Sequence, residues 1–167
     1  MKVWIGRILA STFVFVGHHA LADDDHASLH WREIIGIIQA GNVVGGIPGG
    51  GQPWSTLGGR ASVNLNSGRV AFRVDGLVLA GGNAIGTPDA ITSVQGTLVC
   101  DPGGADQAVV NTPFVPLSAL GDAEFHGDVG SLPDVCSTAT TVAFLIRIPA
   151  GRWIANGAVL HRHADSK

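Results

Sequence analysis

Apolar and polar residues alternate with a period of two along much of this chain. The pattern is clearest over residues 121–148, GDAEFHGDVGSLPDVCSTATTVAFLIRI. In the first half of this stretch Ala123, Phe125, Gly127 and Val129 alternate with Asp122, Glu124, His126 and Asp128. A strand with that spacing carries one apolar face and one polar face. In the second half Val142, Phe144, Ile146 and Ile148 fall in phase within a denser apolar run. The two halves read as a hairpin-like unit, with Cys136 between them to tie it to another strand.

The same period recurs elsewhere. Ala61, Val63 and Leu65 alternate with Arg60, Ser62 and Asn64. After the turn signal Asn66-Ser67-Gly68, Val70, Phe72 and Val74 alternate with Arg69, Ala71 and Arg73. Two alternating runs across a short glycine-containing turn predict a β-hairpin. Its arginines are expected to be solvated or paired with the acidic run from Asp122 to Asp128. Val94, Gly96, Leu98 and Cys100 share a face, which predicts an inward Cys100. Residues 108–117 contain Pro113 and Pro116, so a strand there belongs at a sheet edge, where a missing N–H is tolerated. Residues 33–38 suggest the first strand and 153–160 the last. The intervening GNVVGGIPGGG, residues 41–51, lacks the lysine and hydroxyl residue of a phosphate-binding P-loop and reads as a turning connection. No stretch has the helical period needed for a core helix. The chain therefore reads as all-β, an antiparallel β-sandwich or partly open barrel of about eight or nine short strands.

The amino terminus changes the picture. Lys2 and Arg7 flank an apolar run over residues 8–16, and Ala20-Leu21-Ala22 follows with small residues at the positions a signal peptidase reads. This is the pattern of a secretory signal peptide over residues 1–22. A buried amino-terminal helix is the competing reading, but the run is too short to span a bilayer, which takes roughly 20 residues. Removing the leader takes the net charge from −3 to −5, because Lys2 and Arg7 leave with it. That balance argues against nucleic acid or an anionic membrane as the partner, since both call for clustered positive charge. Export also favours pairing of Cys100 and Cys136, the only 2 cysteines. The closed loop of about 37 residues corresponds to roughly 4 kcal/mol in the chain-entropy model. The expected organisation is a leader at 1–22, a flexible acidic, histidine-bearing tail at 23–30, one β domain at 31–160 and a polar tail at 161–167.

Candidate chemistry is sparse. The polar face of Asp122, Glu124, His126 and Asp128 is the strongest binding candidate. Alternate residues on a strand lie roughly 6.5–7 Å apart, so one face cannot chelate a calcium ion alone. The competing reading is a solvated face. Trp54, beside the glycine-rich segment, is a second binding candidate, because an exposed tryptophan can stack on a sugar or anchor a protein partner. No serine sits in a nucleophile elbow, and no carboxylate pair stands out for glycoside hydrolysis. His161, His163 and the amino-terminal histidines could hold a metal only if the tails converge on the domain. No cofactor site is expected.

GLVLAGGNAIGTP (residues 76–88), VQGTLVC (94–100), GDAEFHG (121–127), AFLIR (143–147) and WIANGAV (153–159) together resemble a group of uncharacterised secreted bacterial proteins. The resemblance implies a bacterial, exported, single β domain and no activity. The resulting expectation is a secreted, non-enzymatic binding or structural module whose partner is an extracellular protein or glycan. The alternatives are a small hydrolase using carboxylates near Asp122 to Asp128, or a metal-binding exported protein.

Overall fold

A computed structural model describes residues 27–163. Thirteen strands and one short helix follow in order. They are β1 (Ser28–Gly36), β2 (Val43–Val44), β3 (Ile47–Pro48), β4 (Trp54–Ser55), β5 (Gly58–Asn64), β6 (Arg69–Asp75) and β7 (Val78–Leu79). Then come β8 (Ser93–Cys100), β9 (Ala108–Asn111), β10 (Val115–Pro116), β11 (Ala123–Asp128), α1 (Val135–Thr138), β12 (Val142–Arg147) and β13 (Trp153–His163). The main sheet is antiparallel, in the order β10-β8-β12-β13-β1-β5-β6-β11, with β9 also paired to β8. It curls into a half-barrel, so that β10 and β11, at opposite ends of the order, touch. The all-β, antiparallel, partly open architecture expected from the alternation is the one observed.

Aromatic side chains fill the inside of the curl. Trp31 of β1 and Phe144 of β12 have ring centroids 5.4 Å apart, Phe144 and Phe72 of β6 5.9 Å, and Phe72 and Phe125 of β11 6.0 Å. Gly96 of β8 makes room for them: a Cβ there would stand 2.7 Å from Phe144 Cζ and 2.9 Å from Phe72 Cδ1. The predicted inward sets, Ala61 and Val63 against Phe72 and Val70, and Ala123 against Val74, are paired in register and buried.

On the outside of β8 and β12 a second layer lies on the sheet. Thr97, Val99 and Leu145 point away from the aromatic core, yet each is fully buried. The glycine-rich segment covers this side, with Gly45 against Val99 and Gln107 Nε2 donating to the Gly45 carbonyl at 2.9 Å. Gly45 and Gly46, with φ of 52° and 74°, form the two-residue loop that pairs Val44 with Ile47. Two successive positive φ values are what a tight hairpin of this hand needs, and glycine adopts them without steric cost.

Three expectations are corrected. β11 and β12 do not form a hairpin: β11 pairs with β6, and β12 lies between β8 and β13. The reason is burial. β11 has one apolar face and takes an edge position, whereas Phe144, Leu145 and Ile146 are buried in succession, as a strand covered on both faces requires. The amino-terminal tail proposed for 23–30 ends earlier than expected, because Ser28 to His30 belong to β1, while residues 23–26 lie outside the described part. Likewise His161 to His163 continue β13 rather than starting a tail. Both extensions have one cause: Ser28 pairs with His163 and His30 with His161, so each end satisfies the other's backbone.

Cys100 and Cys136 form the expected disulfide, with Cα atoms 4.9 Å apart and both residues fully buried. It fastens α1, on the connection leaving β11, to the end of β8. The bond therefore fixes the connection leading into β12 against the end of β8, the strand beside it. Replacing both cysteines by alanine is expected to lower the unfolding free energy by about 4 kcal/mol, measured by urea denaturation against the oxidised protein. Gly96→Val is expected to destabilise by about 1–3 kcal/mol through overpacking against Phe72 and Phe144, read as a lower urea midpoint at unchanged slope.

Candidate binding surface

The outward side chains of β5, β6 and β11 form a polar face opposite the aromatic core. Register sets its rows. Arg60 stands opposite Arg73, and Arg73 opposite Glu124. In the adjacent row Ser62 faces Ala71, and Ala71 faces His126. Arg69 faces Asp128 at the far end. Two shallow depressions share Arg73 and Glu124. One, of about 460 Å³, is lined by Arg73, Asp75, Pro116, Ser118, Asp122 and Glu124 among others. The second, of about 210 Å³, includes Arg60, Ser62, Arg73, Glu124 and His126.

The expected pairing of the arginine strand with the acidic strand is present at one position, Arg69 with Asp128, while Arg73 pairs within its own strand. Arg69 Nε lies 3.6 Å from Asp128 Oδ1, with both side chains 61% exposed, so the pair contributes at most about 1 kcal/mol. Arg73 Nε donates to Asp75 Oδ1 at 2.9 Å. That hydrogen bond, and then the charge of Asp75, hold the Arg73 guanidinium above its ordinary value, with smaller help from Glu124 and Asp122. Arg60, in contrast, has no carboxylate partner among the described residues.

The four polar residues singled out on this strand have different roles. Asp122 sits just before β11 and ties the turn together. Its Oδ1 accepts from the Gly76 N–H at 2.9 Å, and its own N–H donates to Ser118 Oγ at 3.0 Å. Ser118 N–H in turn donates to the Asp122 carbonyl at 2.9 Å. Glu124, His126 and Asp128 are exposed and project from the edge strand. Among the described residues no group of three or more His, Cys, Asp or Glu side chains is arranged to hold a metal ion.

Trp54 is corrected as a stacking platform. It is 6% exposed and belongs to the core, in β4 paired with β7. One side borders an apolar pocket of about 300 Å³ with Leu79, Ile91, Ile148 and Ile154. Trp31 and Trp153 are likewise buried. Arg60, Ser62, Arg73 and Asp75 were not picked out as site residues by sequence reasoning. Their only signal was the polar half of the hairpin alternation, which does not say which strand lies beside it.

Neither family models, nor curated proteins, nor solved structures give a match to this chain.

The hydrogen bonds of Asp122 make it a structural carboxylate. Asp122→Ala is expected to lower the unfolding free energy by about 1–3 kcal/mol, by leaving the Gly76 N–H without its charged acceptor. Glu124→Gln, at a solvated position, is expected to change it by no more than about 0.5 kcal/mol. Parallel urea titrations of the two variants check this contrast.

Proposed function

We propose that the chain is an exported, non-enzymatic β module that binds a protein partner through the outward face of β5, β6 and β11. The observation that carries this reading is where the aromatic residues lie. Trp31, Phe72 and Phe144 occupy the inside of the curl, which leaves no lipocalin-like cavity for a small ligand. Recognition then falls to the surface. Trp31, Trp54 and Trp153 are 2%, 6% and 3% exposed, so none offers a ring for sugar stacking, which favours a protein over a glycan.

Charge supports the same face. Arg60 is directed into the smaller depression without a carboxylate of its own, beside the engaged Arg73. An acidic side chain from a partner would complete it, and rim charges of this kind set partner choice and association rate. β11 also ends the sheet order, so its outer backbone edge is available to an extended segment. Export is supported by the leader-like pattern of residues 1–22 and by the disulfide, which persists in oxidising compartments. No helix among the described residues is long and apolar enough to cross a membrane.

A hydrolase reading loses Asp122, one of its candidate carboxylates, to the turn that it holds. The test combines two measurements. A photo-crosslinking residue at His126 is expected to trap one defined protein species in the exported fraction of cells making the chain, and Arg60→Glu is expected to abolish that product. Hydrolysis of a polysaccharide panel is expected to be absent. Turnover that disappears with Glu124→Gln would overturn the reading.

A further inference from the structure

The extension of β1 and β13 beyond their expected ends places two histidines side by side. His30 of β1 and His161 of β13 are directly opposed in the antiparallel ladder. Leu29 and Trp31, the neighbours of His30, are buried in the core, so His30 projects from the outer face of the sheet, as does its partner position on β13. His161 is exposed and His30 half-buried. Directly opposed side chains on one face have Cβ atoms about 4.5–5.5 Å apart. Two imidazoles rooted at that separation can turn one nitrogen each toward a single ion, for which a zinc–nitrogen distance is about 2.0–2.1 Å.

Hydroxyl groups lie beside the pair. Ser28 Oγ is hydrogen-bonded to His30 Nε2 at 2.9 Å, which orients the ring. Ser62 of β5 lies opposite His30 on the other side, so hydroxyl groups flank the pair within the same face. Arg162, next to His161 on β13, donates from Nη2 to the Ala139 carbonyl at 2.9 Å. Strand pairing holds both histidine backbones in place, so binding does not carry the ordering cost that two loose tails would impose.

We propose that His30 and His161 form a two-histidine site for a divalent transition metal, with copper(II) bound most tightly. Imidazole nitrogen suits copper, nickel and zinc, and the affinity order for such a site peaks at copper(II). Water fills the remaining positions. The site lies on β1 and β13, next to the proposed protein-binding face because β1 pairs with β5, but it does not rest on that reading.

The test uses the full oxidised chain titrated with copper(II) chloride, followed by calorimetry and by electron paramagnetic resonance. One copper ion with nitrogen hyperfine structure from two imidazoles is expected. His161→Ala, at an exposed position, and His30→Ala are each expected to weaken binding at least about tenfold. The double variant is expected to lose little more than either single one, because the two rings act as one ligand set. His30→Asn replaces His30→Ala if the smaller side chain impairs folding, which far-ultraviolet circular dichroism shows. Copper affinity within about twofold of wild type in both single variants would overturn the proposal, and so would losses that simply add. Any binding by histidines elsewhere in the chain is common to all four proteins and cancels in this comparison.

Discussion

The contact between Phe72 and Phe144 across the inside of the sheet is the constraint on which the rest of the molecule depends. Their ring centroids are 5.9 Å apart, although β6 and β12 are separated in the sheet by β13, β1 and β5. A flat sheet would hold these rings far apart, since neighbouring strands are spaced about 4.7–4.9 Å. The sheet must curl for them to meet. Burial of the aromatic side chains drives the curl, and Gly96 permits it by contributing no side chain at the point of closest approach. Once the curl exists, its two edge regions come near each other, and the disulfide between Cys100 and Cys136 holds the connection from β11 to β12 against the end of β8. The bond thus secures a shape that the apolar core has already set.

The same constraint decides which faces of the sheet stay open to solvent. Side chains fill the interior, and the glycine-rich layer covers the outside of β8 and β12. The outward face of β5, β6 and β11 stays open. It is polar because those strands alternate, and it is mixed in charge because β11 docks beside β6 rather than beside β12. That docking brings Glu124 opposite Arg73 and Asp128 opposite Arg69, and it converts Asp122 into the anchor of a turn. The chemistry of the face follows from which strand lies next to which. Its carboxylates are tied to backbone N–H groups or arginines, or stand exposed. The pairing of β1 with β13 acts in the same way in the middle of the sheet, setting His30 opposite His161.

Much of the architecture was legible in the residues alone. The alternation in β5, β6 and β11, the inward Cys100, the edge position of the segment with Pro113 and Pro116 and the turning role of the glycine-rich segment are local properties. Period, turn chemistry and proline geometry act over a few residues, and so they can be read without knowing the partner strand. Strand pairing was not legible, because alternation states that a strand has two faces and leaves its neighbours open. β1 pairs with β13 from the opposite end of the described chain, and β6 with β11 across some fifty residues. Only the packing of the aromatic core selects those partners. For that reason the polar residues of β11 could be identified from the sequence, whereas the arginines facing them, the burial of Trp54 and the opposition of His30 and His161 were decided by the tertiary structure.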